Sequence, residues 1–348
     1  MILDGQSPQA IAAAAHALQR GELVGLPTET VYGLAADAGN DVAVAKIFAA
    51  KGRPANHPLI VHVASAQGVM RFASHVPDFA QRLIDAFWPG PLTLILPRRS
   101  EVAAVAAGGQ NSVGLRCPSH PIAHAVLQSA EALGVLGVAA PSANVFGRVS
   151  PTTAAHVASE FDDSLLILDG GACDVGIEST IVDCTRAAPV LLRPGVLTPQ
   201  QLSDACGLTV ITPNAPDADA PRASGSLESH YAPSAKLQLM TAAELQNAMH
   251  AYASANAISD PELTRAGLAI GKVAVWSSSP LPVPTTHAAL FNMQPMPTSA
   301  NDCAHQLFAQ LRSFDAQGAS HIWVQAPPLD HEWDGVRDRL TRAAAPTR

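Results

Sequence analysis

Aromatic residues make up only 5% of this 348-residue chain and charged residues only 14%, while apolar residues reach 48%. So few aromatics leave a core of Ala, Val, Leu and Ile, the composition of helices laid over a buried sheet. So little charge at so high an apolar content excludes wholesale disorder. No uninterrupted apolar run reaches the length of a membrane span. The N-terminus has no basic segment followed by an apolar one, so no secretory signal is expected. A cytoplasmic protein with no membrane partner is expected. The five cysteines, Cys117, Cys173, Cys184, Cys206 and Cys303, are odd in number and never spaced C-x-x-C. That argues against a disulfide framework and a Cys-rich zinc site, and it fits a reducing compartment. A formal net charge of −8 disfavours one broad basic face for nucleic acid, though not a local basic pocket. The chain also lacks a Walker P-loop, a zincin H-E-x-x-H and a G-x-S-x-G elbow.

What is present centres on one stretch, Glu22 to Leu34. Leu23, Val24 and Leu26 form a short apolar strand, Pro27 breaks it, and Thr28, Glu29 and Thr30 follow at once. An apolar strand that exits into hydroxyls and a carboxylate puts polar groups at its carboxyl end, where α/β sheets bind ligands. An ordinary strand exit, with Thr and Glu satisfying nearby backbone, reads the same way. The device recurs. Strand Val135–Ala140 ends in Pro141-Ser142-Ala143-Asn144, and Gly176-Ile-Glu-Ser-Thr-Ile-Val182 makes a third polar turn around Glu178, Ser179 and Thr180.

Around these lie regular elements. Ser7-Pro8 caps a first helix that stops at Gly21. A second helix from about Asn40 ends in Lys51-Gly52-Arg53-Pro54, where the cations either compensate the helix dipole or clamp an anion facing the Thr28 turn. Leu59–Val63 is a strand carrying His62, and Pro77–Trp88 a helix. Leu92–Leu96 and Ser112–Cys117 are strands, the latter placing Arg116 beside apolar neighbours, where a cation needs a partner. Ser150-Pro151 reads as the start of a further helix, with Ser150 as its N-cap. Thr198 and Gln201 read as a capping box, and Arg193 sits at a strand end.

From Pro213 the composition changes to Pro, Asp, Ser and Ala, that of a linker, with Ser229-His230-Tyr231 as an aromatic tip. From Lys236 strands and helices alternate again. Strands Lys236–Met240, Lys272–Trp276 and His321–Gln325 separate helices Thr241–Tyr252, Asn301–Phe314 and Asp334–Ala343. This implies a small parallel sheet of the Rossmann-like class, without the G-x-G-x-x-G fingerprint. The division expected is therefore 1–212, a linker 213–235 and a second domain 236–348. The polar turns together with Lys51, Arg53, Arg116 and Arg193 suit a triphosphate and a small zwitterion.

The ordered segments Pro27–Leu34, Lys51-Gly-Arg-Pro54, Pro58–His62, Trp88-Pro-Gly-Pro-Leu-Thr93, Ala140-Pro-Ser-Ala-Asn144 and Gly176–Thr180 resemble the YrdC-like family in its two-domain form. The resemblance implies an α/β fold: a twisted N-terminal sheet with helices around an open basic cavity, plus a smaller C-terminal Rossmann-like domain. It implies a nucleotidyl transfer that joins L-threonine, bicarbonate and ATP, with Mg²⁺, into threonylcarbamoyl-adenylate and pyrophosphate. A separate complex would then pass the threonylcarbamoyl group to tRNA beside the anticodon, so tRNA would be at most an indirect partner. By the same resemblance Lys51, Arg53, Ser142 and Asn144 form the catalytic signature. Thr28, His62, Arg116, Ala140 and Ser179 would contact threonine. Arg53, His57, Ser112, Ser142, Ser150 and Arg193 would contact ATP, with Tyr231 as a lid over the nucleotide. No residue is implied as a dedicated metal ligand. The rival readings are an RNA-binding module and carbamoyl transfer to another acceptor.

Overall fold

The computed structural model describes residues 1–213, 220–225, 230–256, 273–282 and 290–346. Two compact units emerge: Met1–Phe146 with Ser150–Ser226, and Gly147–Val149 with Leu227–Arg348. The expected linker is thus divided between the two units.

The first unit is built on ten strands: β1 Ile2–Asp4, β2 Val24–Leu26, β3 Gly33–Asp37, β4 Ile60–His62, β5 Leu92–Pro97, β6 Ser112–Arg116, β7 Val138–Ala139, β8 Leu166–Asp169, β9 Thr180–Asp183 and β10 Val190–Arg193. Their order is β1-β8-β2-β3-β7-β4-β6-β5-β9-β10. The sheet is mixed. β4 runs parallel to β6 and β5 parallel to β9, whereas β2–β3, β3–β7 and β5–β6 are antiparallel.

Side chains alternate across this sheet as the pleat requires. On β3, Leu34 and Ala36 join one core cluster and Ala35 the other. One face is covered by α1 Pro8–Gln19 and α4 Pro121–Ala132, through Ala14, Leu18, Val126 and Leu127. The opposite face is covered by α2 Asp41–Lys51, α3 Asp78–Phe87 and α6 Pro199–Cys206, through Val44, Ile47, Leu83 and Leu202. The caps agree with the sequence: Ser7 caps α1, Asn40 caps α2, and Thr198 with Gln201 forms the capping box of α6. Gly52 ends α2 at φ 61°, a conformation that L side chains adopt only with strain.

Three expectations change. Ser150 does not cap a helix. The short helix α5, Ala154–Ala158, starts later and Thr153 caps it, accepting from the His156 amide. Ser150 bonds a carboxylate instead. The strand expected over Val135–Ala140 narrows to β7, because Gly134 adopts φ 94° and Leu136 is exposed. And Gly33 does not close the polar stretch but opens β3, which returns beside β2. β1 is an edge strand too short to announce itself.

The second unit carries a four-stranded sheet in the order β11-β14-β12-β13, all parallel: β11 Lys236–Met240, β12 Val273–Ser277, β13 Phe291–Pro295 and β14 His321–Gln325. Its helices are α7 Ala242–Asn256, α8 Ala300–Ala316 and α9 Asp334–Ala344. β13 escapes the sequence because it is a half-buried edge ending in Pro295. Lys272 and Ser229 lie outside the described residues. All five cysteines are buried and unpaired. No helix among the described residues is long and apolar enough to cross a membrane.

Candidate active site

The polar turns lie in the first unit, and each is tied to its own cation. In the first turn the Thr28 hydroxyl accepts the Thr30 and Val31 amides, both at 3.2 Å, and donates to the Val31 carbonyl at 2.6 Å. This is the local side-chain turn that Thr favours after a strand. It turns Glu29 and Thr30 toward Arg116 at the end of β6. Arg116 Nη1 donates to Thr30 Oγ1 at 2.8 Å, Nε donates to the Gly90 carbonyl at 3.2 Å, and Nη2 lies 2.7 Å from Glu29 Oε1. Both side chains are about 95% buried, at 4% and 5% exposed. The Glu29 contact is an ion pair set off the hydrogen-bond line. Neither Glu29 oxygen, nor Arg116 Nη2, nor the buried His62 Nδ1 has an aligned hydrogen-bond partner. Burial raises the Glu29 carboxyl, but the Arg116 guanidinium, helped by the nearby backbone of Glu29 and Ser119, outweighs it and holds the group below the usual carboxylate range.

His62 is opposite Arg116 in the parallel register of β4 and β6. Burial first, and then the Arg116 charge, lower its imidazole to about 3, so it is neutral across the physiological range. An unfolded histidine binds a proton near pH 6.5 and this one does not, so stability falls as pH drops below that value and levels off near pH 3. The slope is about 1.4 kcal/mol per pH unit for one group. His62→Gln is therefore expected to flatten the acid limb of a urea-unfolding series between pH 6.5 and 4. An unchanged limb would mean that His62 takes up its proton in the folded chain.

The second turn packs on the exit of the first. Leu34 N–H donates to the Pro141 carbonyl and Ala143 N–H to the Tyr32 carbonyl, both at 2.8 Å, and Gly33 bridges Ser142. A Cβ on Gly33 would stand 3.0 Å from Ala140 Cβ, so glycine and alanine are what this approach admits. Lys51, only 1% exposed, reaches over from the end of α2. Its Nζ donates to the Ser142 carbonyl at 2.5 Å and to the Asn144 carbonyl. The cation thus clamps the second turn, not the Thr28 turn. Burial, then the Arg53 charge, hold the ammonium well below the usual lysine range, while Glu160 and Glu178 oppose that shift.

The third turn is held by Arg193 of β10. Its Nε and Nη2 both donate to the Ser179 carbonyl, at 3.1 and 2.9 Å, and Nη2 also reaches Ser179 Oγ at 3.2 Å. Ser179 Oγ shares a 2.7 Å bond with Thr93 Oγ1. Ser150 Oγ donates to Glu178 Oε1 at 2.5 Å. The Val175 amide donates to the Glu29 carbonyl at 2.7 Å, tying the third turn to the first.

Arg53 stands beyond the end of α2, its guanidinium 5.7 Å from the Phe146 ring, and that ring meets His57 edge-on at 5.6 Å. Arg53 Nη2 donates to the Ser224 hydroxyl at 3.0 Å and Arg193 Nη1 to the Ser224 carbonyl at 2.9 Å. One serine therefore links two of the cations. Gln110 anchors that segment by exchanging bonds with the Arg222 backbone. Ser112 is buried at the start of β6.

The geometry thus joins Thr28 to Arg116 through Thr30, pairs His62 with Arg116 in register, holds Ser179 on Arg193 and Thr93, and joins Lys51 to Ser142 and Asn144. Tyr231 belongs to the second unit. There it is buried under Phe308 and Arg339, each 5.4 Å from its ring, at φ 62°. The sequence points to Glu29 in the first polar turn without giving it a ligand, and to no role for Thr93, Phe146, Glu160 or Ser224. Thr93 and Glu29 stood inside the quoted motifs. Ser224 gave no signal, because its partner Arg53 is 171 positions away. No group of three or more His, Cys, Asp or Glu among the described residues could hold a metal ion.

The family model Sua5–YciO–YrdC, described as Telomere recombination, matches residues 16–195. A second model, Threonylcarbamoyl-AMP synthase, C-terminal domain, matches 197–345. A Threonylcarbamoyl-AMP synthase of Pyrococcus abyssi is 44% identical over 227 residues, 64% of this chain and 66% of that protein. One of Schizosaccharomyces pombe is 34% identical over 92% of this chain and 85% of its own length. The crystal structure of P. abyssi Sua5 complexed with L-threonine superposes with a TM-score of 0.84 at 34% identity, covering 99% of this chain and 97% of that one.

Proposed function

The chain belongs to the Sua5–YciO–YrdC family, and from that membership we propose that it is a threonylcarbamoyl-AMP synthase, joining L-threonine, bicarbonate and ATP and releasing pyrophosphate and water. The observation that carries this reading is the buried cluster of Glu29, His62 and Arg116. It combines an anion, a neutral ring and a cation, each with hydrogen-bonding capacity left open. A small hydroxylated zwitterion complements such a cluster. Its ammonium finds the Glu29 carboxylate, its carboxylate finds Arg116, and its hydroxyl finds His62 or the Thr28 turn. A purely apolar ligand would leave these groups unpaired at a cost of several kcal/mol.

On this reading Arg53 and Arg193 receive the triphosphate, with Ser224 giving way, and His57, Ser112, Ser142 and Ser150 line the nucleotide's path. Lys51 and Asn144 act on the reacting centre. The threonine amine and bicarbonate supply the nucleophiles, so no protein side chain needs to form a covalent bond. The chain's share is to align reactants and to balance charge on phosphoryl oxygens. Mg²⁺ would enter with the triphosphate and would supply neutralisation of charge on the phosphoryl oxygens. Catalysis resides in 1–212, and the product passes to a tRNA-modifying complex.

Purified protein is to be incubated with ATP, Mg²⁺, bicarbonate and threonine, with each omitted in turn. Pyrophosphate release is expected to need both threonine and bicarbonate and to accompany an adenylate product. Folded protein that binds ATP yet releases pyrophosphate without regard to threonine would point to another carbamoyl acceptor.

A further inference from the structure

Two oppositely charged side chains meet one peptide group beside the signature asparagine. Lys51 Nζ donates to the carbonyl oxygen of Asn144. Glu160 Oε2 accepts the N–H of Val145 at 3.1 Å. Oxygen and N–H belong to the same Asn144–Val145 peptide. Its dipole therefore lies between a cation at the oxygen end and an anion at the hydrogen end, and each charge favours the same orientation of the plane. Rotation of that plane would break both contacts together. It would also turn the Asn144 side chain, whose Nδ2 now donates to the Val145 carbonyl at 2.7 Å. Glu160 follows the short helix α5, its N–H bonded to the Val157 carbonyl, so its anchor is regular structure and not the turn it grips. On its other side it lines a cavity of about 520 Å³ with Leu34, Lys46, Ala50 and Phe161.

We propose that Glu160 is a positioning residue of the catalytic turn, fixing the Asn144–Val145 peptide from the side opposite Lys51 and sustaining the positive charge of Lys51 through that peptide. The inference rests on the proposed synthase reading for its kinetic consequences, but not for its structural ones. The groups facing Lys51 are Arg53, which opposes its charge, and Glu160 and Glu178, which favour it. Glu178 is bonded to Ser150, and Glu160 is joined to the Lys51 clamp through one peptide.

Two variants separate the hydrogen bond from the charge. Glu160→Gln keeps an acceptor for the Val145 amide and removes the charge; Glu160→Ala removes both. Threonine-dependent pyrophosphate release is to be measured across pH 6 to 10. Glu160→Ala is expected to lower kcat about tenfold with the KM values for threonine and ATP within about twofold. Glu160→Gln recovers most of that loss at pH 7. In both variants the alkaline limb moves down by about one pH unit, because a lysine deprived of a nearby anion loses its proton earlier. A second arm needs no turnover: the pH titration of Lys51 Cε by NMR is expected to shift the same way, and the Val145 amide proton to move upfield most in Glu160→Ala. An unmoved Lys51 titration and alkaline limb overturn the proposal. So does an equal loss of kcat in both variants with a lowered Tm. Wild-type protein without threonine-dependent turnover would count against the synthase reading alone, since the NMR arm still decides the role of Glu160.

Discussion

Lys51→Met is expected to lower threonine-dependent pyrophosphate release by about 10²–10³-fold, the scale on which a single preorganised donor acts on developing charge. The fold is expected to survive. Two effects on stability oppose one another. Removing a buried cation relieves a desolvation penalty of a few kcal/mol, since a lysine held well below its usual pKa gives up its proton on folding more readily than in water. Losing Nζ leaves the Ser142 and Asn144 carbonyls without that donor, at about 1–3 kcal/mol each. The sum lies near zero, so Tm should shift by only a few degrees while activity disappears. Lys51→Arg should not rescue activity, because a planar guanidinium cannot replace a compact ammonium between two carbonyls. A folded Lys51→Met protein with an undiminished rate would remove Lys51 from the mechanism. A large fall in Tm would instead make it a structural pin.

The sequence disclosed Lys51 readily, yet not its bonds. Helix α2 could be read from Asn40, its apolar face and Gly52, because caps and periodicity are local. That the side chain at its end turns back to the 142–144 turn depends on the β3–β7 pairing, which no local pattern encodes. The same limit explains Ser150. Ser-Pro is a fair helix start in isolation, but Glu178, 28 positions on, takes its hydroxyl, and the helix begins at Thr153 instead. The polar turns were legible as strand exits because Pro, Gly and short polar residues punctuate the chain at those points. Which cation serves which turn was not, and there the structure adds most: Arg116 to the first, Lys51 to the second, Arg193 to the third.

Arg116 carries the other large effect, this one on stability and binding together. Arg116→Met leaves Glu29 buried without its cation, which is expected to lower stability at pH 7 by about 3–5 kcal/mol. The pH dependence should also reverse. In the native chain Glu29 has a depressed pKa, so its contribution is present above the unfolded carboxyl value near pH 4.3 and fades as pH falls through the lower folded value. Without Arg116, burial raises Glu29 above its unfolded value. The stability associated with it is then present at low pH and lost as pH rises through the folded value. His62 moves in the same sense, since part of its depression comes from the Arg116 charge. The variant should therefore gain stability on mild acidification, where the native protein loses it. Glu29→Gln/Arg116→Met, which removes both charges, should regain most of the lost stability at pH 7 while the KM for threonine stays raised by about 10–100-fold, the worth of a charge-assisted hydrogen bond. Urea unfolding at pH 5 and pH 7, read beside the threonine dependence of pyrophosphate release, separates the two roles. If the double variant binds threonine normally, the buried pair serves the fold and the zwitterion is recognised elsewhere.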